Sequence, residues 1–258
     1  MHAQIERDRF YRELYLKGGE DLVVEAGFFI NNSPKDLDFD EATDILCTPY
    51  KFIVENMVGA KNPCILLSTG GFAPIHSGHI NMMIGAKEAA QKAGYDVVGA
   101  YLAPDHDEYI GRKIEENEHY SIGKRIYLIN QAARPLKWLR VDPWAGIFQT
   151  HTINFTDIYT RLELYIQKHL SRHIPIFFVC GGDNARFAAT FEEEGCCIIV
   201  TRPGYEKQLE QYKHLVDGRR ILLGHNYDDN SSTLVRKLKG IGGQEEVTLN
   251  LRISDRMY

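Results

Sequence analysis

Long hydrophobic runs are missing from this 258-residue chain. Nowhere do about 20 apolar residues stand together, so no membrane span is expected. No basic, then apolar leader opens it, so no signal peptide is expected either. Cysteine is scarce and odd in number: five residues, Cys47, Cys64, Cys180, Cys196 and Cys197, with no Cys-x-x-Cys spacing. That excludes a disulfide framework and a structural zinc site, and it reads as reduced core thiols in a cytoplasmic protein. An excess of basic residues is missing too. The net charge of −5 argues against a broad nucleic-acid surface, while a local basic pocket for a small anion remains open. What is present, 44% apolar and 25% charged residues, is an ordinary globular composition, enough for one large domain with an appendage.

The N-terminal 60 residues differ from the rest. A charged, aromatic helix is expected at 4–15, a strand at 22–30, a turn at 31–34, an acidic stretch at 34–42 and a helix at 44–58. No chemistry-bearing spacing occurs there, so residues 1–60 are expected to form an N-terminal extension packed on a main domain, 61–258. From Cys64 onward, apolar runs alternate with helical spacing. Strands are expected at 64–67, 97–102, 138–141, 176–180 and 196–200, with a sixth at 221–223. Helices are expected at 79–93, closed by Gly94, at 121–133, at 155–170 and, briefly, from Asp183 to 193. A charged loop is expected at 104–118, and a final helix opens at Ser231-Ser232-Thr233 and runs through Lys239. Continuously apolar strands alternating with helices predict an α/β fold: a Rossmann-like open parallel sheet with helices on both faces. In such sheets ligands bind beyond the C-terminal ends of the strands. His76, Asp105, Asp142 and Asp183 all follow expected strand ends.

Two stretches carry chemistry. The first is Gly70-Gly71-Phe72-x-Pro74-x-His76-x-Gly78-His79, a strand end, a glycine turn and a helix start bearing two histidines. Glycines allow close backbone approach to a phosphate, a helix start offers unpaired N–H groups and partial positive charge, and imidazoles add donors near neutral pH. The second is Asn230-Ser231-Ser232-Thr233-Leu234-Val235-Arg236. Three hydroxyls at a helix start are by themselves an N-cap signal; with Arg236 a turn further on they form a second phosphate cradle. Other polar residues have plainer readings. Asp105, His106 and Asp107 suit a turn better than a metal site, and Arg125 suits an ion pair as well as a phosphate contact.

Together these stretches resemble the His-x-Gly-His and Ser-Ser-Thr-x-x-Arg signatures of the nucleotidylyltransferase superfamily. Between them, Leu102-Ala103-Pro104-Asp105-His106-Asp107-x-Tyr109, Trp138-Leu139-Arg140-Val141-Asp142-Pro143-Trp144, Val179-Cys180-Gly181-Gly182-Asp183 and Val200-Thr201-Arg202-Pro203-Gly204 are similar to collinear motifs of nicotinamide/nicotinate mononucleotide adenylyltransferases.

The resemblance implies adenylyl transfer from ATP to a pyridine mononucleotide, with pyrophosphate leaving and NAD or deamido-NAD formed. His76, His79 and Arg236 would be the catalytic donors. Gly70, Gly71, Phe72, His79, Gly181, Asp183, Ser232, Thr233 and Arg236 would hold ATP, with Asp183 accepting from its ribose. Tyr109, Arg112 or Lys113 and Trp138 or Trp144 would meet the mononucleotide. Mg²⁺ would arrive with ATP, held by phosphates and water rather than by a protein metal site. A homo-oligomer is compatible with the sequence. Departures concentrate at the acceptor end. Gly-Gly-Phe-Ala-Pro replaces the family's Gly-Ser-Phe-Asn-Pro, Ala145 stands where an acidic residue follows Trp144, Asn230 replaces Ile, and the region after Asp183 is short and lacks the aromatic that family members often stack on the pyridine ring, with Phe191 as a candidate substitute. Two alternatives therefore stay open: transfer to another phosphorylated acceptor, of phosphopantetheine or cytidylyl type, or a non-catalytic nucleotide-binding regulatory module.

Overall fold

The computed structural model describes residues 47–113, 120–149, 151–191, 196–202, 204–218 and 221–226. The expected elements at 4–15, 22–30, 34–42 and 231–239 lie outside them, with Ser232, Thr233 and Arg236.

Six apolar runs form the strands: β1 Pro63–Gly70, β2 Asp96–Pro104, β3 Leu139–Val141, β4 Ile176–Gly181, β5 Cys197–Thr201 and β6 Ile221–His225. They make one sheet of order β3-β2-β1-β4-β5-β6, every neighbouring pair parallel. Because helices cover both faces, strand residues of either parity are buried, which explains runs without alternation. The chain leaves β1 for β2 and β3 on one side, then crosses back to β4 on the other. The crevice between the ends of β1 and β4 is therefore the topological switch point, where such sheets bind ligands.

The helices up to β4 are α1 Lys51–Asn56, α2 Ser77–Lys92, α3 Asp107–Lys113, α4 Ile122–Ala133, α5 Trp144–Ile147 and α6 Phe155–Leu170, of which the longer ones, α2, α4 and α6, follow an apolar period. A 3-10 helix, Gly182–Phe191, follows β4, and two short helices, α7 Glu206–Glu210 and α8 Lys213–Asp217, precede β6. Gly94 closes α2 as expected. It takes φ +88°, its N–H bonds to Gln91 O, and the Tyr95 N–H bonds to Ala90 O, a Schellman arrangement. Ser121 caps α4 by accepting from Lys124 N at 3.4 Å.

On one face of the sheet α1 sets Phe52 and Ile53 against Gly99, and α6 sets Phe155 against Phe178. On the other face α2 lies across Val200 and Gly224 through Gly85. The expected loop at 104–118 contains α3, and of the helix expected at 44–58 the described part is confined to α1. Asp183 lies inside the first turn of the 3-10 helix rather than capping it. Among the described residues no helix is long and apolar enough to cross a membrane. All five cysteines are free thiols, four of them buried.

Candidate active site

A cavity of about 380 Å³ opens at the switch point. The end of β1 and its glycine turn form one wall, the start of α2 the floor, and the end of β4 with the 3-10 helix the other wall. Seven residues singled out from the sequence line it together: Gly70, Gly71, Phe72, His76, His79, Gly181 and Asp183.

The histidine turn has a defined construction. His76 is the N-cap of α2, with extended backbone (φ −148°, ψ 174°), and His79 is the third residue of the helix. His79 Nδ1 accepts from the His76 backbone N–H at 3.3 Å, one of the donors a helix start leaves over. With Nδ1 accepting, the neutral ring carries its proton on Nε2. The two imidazole centroids are 3.8 Å apart, and Phe72 meets His79 edge-on at 5.0 Å. Phe72 sits in the left-handed region at φ +44°, which a side chain rarely adopts and which burial of its ring helps to hold.

The loop is shaped from behind by Arg125, fully buried on α4. Its guanidinium donates to Gly71 O at 2.8 Å, Asp105 O at 2.7 Å and Asp107 Oδ1 at 2.8 Å, and its Nε donates to Tyr120 O at 3.1 Å. One side chain thus ties the turns after β1 and β2 together; of the two sequence readings, the structure selects the ion pair. Burial draws its pKa down against the pull of Asp107. The neighbouring His106 is also lowered, first by burial, with Asp107 and Glu108 opposing, and its Nδ1 accepts from Glu108 N at 3.2 Å.

On the opposite wall, a Cβ at Gly181 would stand 2.5 Å from Asp183 Oδ1. Glycine there leaves room for the carboxylate, which is exposed and lies over the strand end. The cavity also takes in residues the sequence did not single out for the site: Ile110, Met82, Arg202, Phe187 and Asn226. Ile110 comes from α3, whose apolar residues are too few to show a period. Its Cδ1 would lie 2.7 Å from a Cβ at Gly71, so its methyl occupies the place where a Ser side chain would begin.

Other residues assigned to the mononucleotide do not line the cavity. Trp138 precedes β3, at the N-terminal end of the strands, with the Lys87 ammonium 4.7 Å from its ring centroid. Trp144 is 2% exposed and packs against the Arg161 guanidinium. Arg112 is exposed on α3 and pairs with Glu108, which also accepts from Thr152 N at 2.8 Å. Tyr109 is half-buried on α3 outside the lining, and the Lys113 side chain lies outside the described residues. Phe191 is buried too, stacked on Phe178; Phe187 is the residue of that helix whose ring reaches the cavity.

The family model described as cytidylyltransferase-like matches residues 67–238, from within β1 past the end of β6. Among curated proteins, the chain is 38% identical over 85 residues to a zebrafish (Danio rerio) protein named nicotinamide/nicotinic acid mononucleotide adenylyltransferase 2, covering 33% of this chain and 26% of that one. It is 25% identical over 128 residues to the Arabidopsis thaliana nicotinamide/nicotinic acid mononucleotide adenylyltransferase, covering 48% and 50%. A rice (Oryza sativa subsp. japonica) protein of the same name is 31% identical over 89 residues, 34% of each. The matches thus span from about a quarter to a half of these relatives.

Proposed function

The chain belongs to the cytidylyltransferase-like family, and on that premise we propose that it is a nucleotidyltransferase that moves AMP from ATP to nicotinamide or nicotinate mononucleotide. The observation that carries this reading is the convergence of His76, His79, the Gly70–Phe72 turn and Asp183 on one cavity at the switch point. The names of the partial relatives favour the pyridine acceptor.

In this reading an acceptor phosphate oxygen attacks the α-phosphorus of ATP. The new P–O bond forms as the bond to the bridging oxygen breaks, and the electron pair leaves with pyrophosphate. No covalent intermediate on the protein is needed, so positioning and charge stabilisation supply the acceleration. His79, with Nδ1 engaged by the backbone, presents Nε2–H as a donor to a phosphate oxygen. His76 adds a second ring at the helix start, and the turn N–H groups complete the cradle. Asp183 accepts from ribose hydroxyls. Ser232, Thr233 and Arg236 bind the β and γ phosphates. Phe187 offers an aromatic face to the acceptor ring in place of Trp138 or Trp144. Among the described residues no group of three or more His, Cys, Asp or Glu side chains is placed to hold a metal. A Mg²⁺ arriving with ATP would take phosphate oxygens and water as ligands, which is its usual habit. Free, mostly buried thiols fit a cytoplasmic setting.

The test is pyrophosphate release from ATP with a panel of acceptors: both pyridine mononucleotides, phosphopantetheine and phosphocholine, the last with CTP. Turnover with a pyridine mononucleotide is the expected outcome. Turnover with another acceptor alone would move the reading elsewhere in the family. Binding of ATP without turnover of any would make the chain a regulatory module.

A further inference from the structure

We propose that Asn226 is a positioning residue that holds the histidine turn in place; the inference rests on the reading of that turn as a phosphate site. Asn226 is the first residue beyond β6, 8% exposed, and lines the cavity. Its backbone N–H donates to Thr201 O at 2.7 Å, continuing the β5–β6 ladder by one bond. Its side-chain Nδ2 donates to Gly78 O at 2.9 Å. Gly78 stands between the two histidines in the first turn of α2.

This bond is one fastening between α2 and the end of β6. Another is at Gly85, where a Cβ would lie 2.3 Å from His225 O, and a Cβ on Gly224 would lie 2.8 Å from Gly85 O. Helix and strand are in backbone contact there. Gly78 and Gly85 are seven residues, or about two turns, apart, so they share one face of the helix some 10 Å along its axis. Two fastenings on one face fix both the rotation and the tilt of α2. The strand end is itself held, with Thr201 Oγ1 3.3 Å from Gly224 O and 3.1 Å from His225 Nδ1. Remove the amide and α2 is still seated at Gly85, while the turn carrying His76 and His79 loses its tether to the β5–β6 side of the cavity. Only a donor serves. A carboxylate of the same size would face the Gly78 carbonyl with like charge.

The experiment compares Asn226→Asp and Asn226→Ala with the wild-type chain. Turnover number should fall at least ~10-fold in both, with the KM for ATP within about 3-fold, because displaced donors cost more in the transition state than in binding. Hydrogen exchange gives a second readout that needs no activity. Amides of residues 79–82 should exchange at least ~10-fold faster in Asn226→Asp, and those of 86–90 should not, since loosening is confined to the freed turn. Uniform acceleration along α2, or unchanged exchange with wild-type turnover, overturns the inference. So does failure of both variants to fold, which would make the amide a folding determinant. A wild-type chain with no turnover on any acceptor would instead sink the functional reading, and the exchange data would still decide the role of Asn226.

Discussion

His79 serves the helix and the cavity at once. Its Nδ1 accepts the His76 N–H, and its ring borders the cavity against Phe72. The backbone bond orients the ring, so the proposed reaction would have a fixed donor at no cost at the moment of reaction. We predict that His79→Ala lowers turnover number roughly 100-fold with a much smaller change in the KM for ATP, as for loss of a transition-state donor. Steady-state kinetics on the preferred acceptor check this, and an equal loss through KM would reduce His79 to a ground-state contact. His106 gives a prediction in pH. Burial holds its folded-state pKa below the ordinary imidazole value of about 6.5. The unfolded chain then binds the proton more readily, so stability rises with pH across this window. The contribution of neutral His106 is present above about pH 6.5 and is lost as pH falls through the lower folded value. Melting temperatures measured downward from pH 7 should fall less steeply in His106→Gln than in the wild type. Parallel slopes would show that His106 protonation carries none of the acid loss.

At the scale of elements, what was legible followed length and period. The six strands were readable as apolar runs, and α2, α4 and α6 as stretches of helical spacing, α2 with its closing Gly94. Glycines and histidines at the first strand end marked the cavity because chemistry of that kind is local. Ile110, Phe187 and Asn226 were not legible as lining residues. Each is brought there by a separate element, and none of the three belongs to a chemistry-bearing spacing of its own. Trp138 and Trp144 illustrate the converse. Motif similarity put both at the acceptor, while chain direction puts Trp138 at the far end of β3 and packing puts Trp144 under Arg161. Helix α3 explains one departure from the family pattern. Gly71 stands where Ser is usual, and the Ile110 methyl takes the space. We predict that Gly71→Ser destabilises the protein by about 1 kcal/mol, the cost of driving a buried Ile off its rotamer. Gly71→Ser with Ile110→Val, which removes Cδ1, should recover most of that. Denaturant midpoints decide it, and a single variant as stable as the wild type would mean that Ile110 yields freely.

For the molecule as a whole, the question is whether residues before β1 are an appendage. The described part of that segment, 47–60, is built into the sheet's cover. Thr48 Oγ1 donates to Asp142 Oδ1 at 2.7 Å and accepts from Arg161 Nη1 at 2.5 Å, while Arg161 Nη2 donates to Cys47 Sγ at 2.7 Å. Tyr165 donates to Thr48 O at 2.8 Å, and Tyr101 donates to Pro49 O. Burial pushes the Cys47 thiol up to about 11, so it meets Arg161 as a neutral thiol. Arg161 and Asp142 are both fully buried and 3.5 Å apart, a distance at which their own pairing is weak. Thr48 and Cys47 supply hydrogen-bond partners to the pair: Thr48 to both side chains, Cys47 to Arg161. Taking these partners away leaves a buried charge pair half-satisfied, for which about 3–5 kcal/mol is a typical penalty. Phe52 and Ile53 add roughly 2 kcal/mol each by covering the β2 face at Gly99. The sum approaches the whole stability of an ordinary domain, about 5–15 kcal/mol. We therefore predict that a chain beginning at Lys61 does not melt cooperatively, although every strand is retained. Thr48→Val in the full-length chain should lower the melting temperature by several degrees, since about 1–3 kcal/mol is lost when a buried polar partner is removed. Calorimetry on the two proteins settles where the domain starts. A cooperative transition in the shorter chain, within about 5 °C of the full-length one, would put the boundary at residue 60 and make residues 47–60 a dispensable cover.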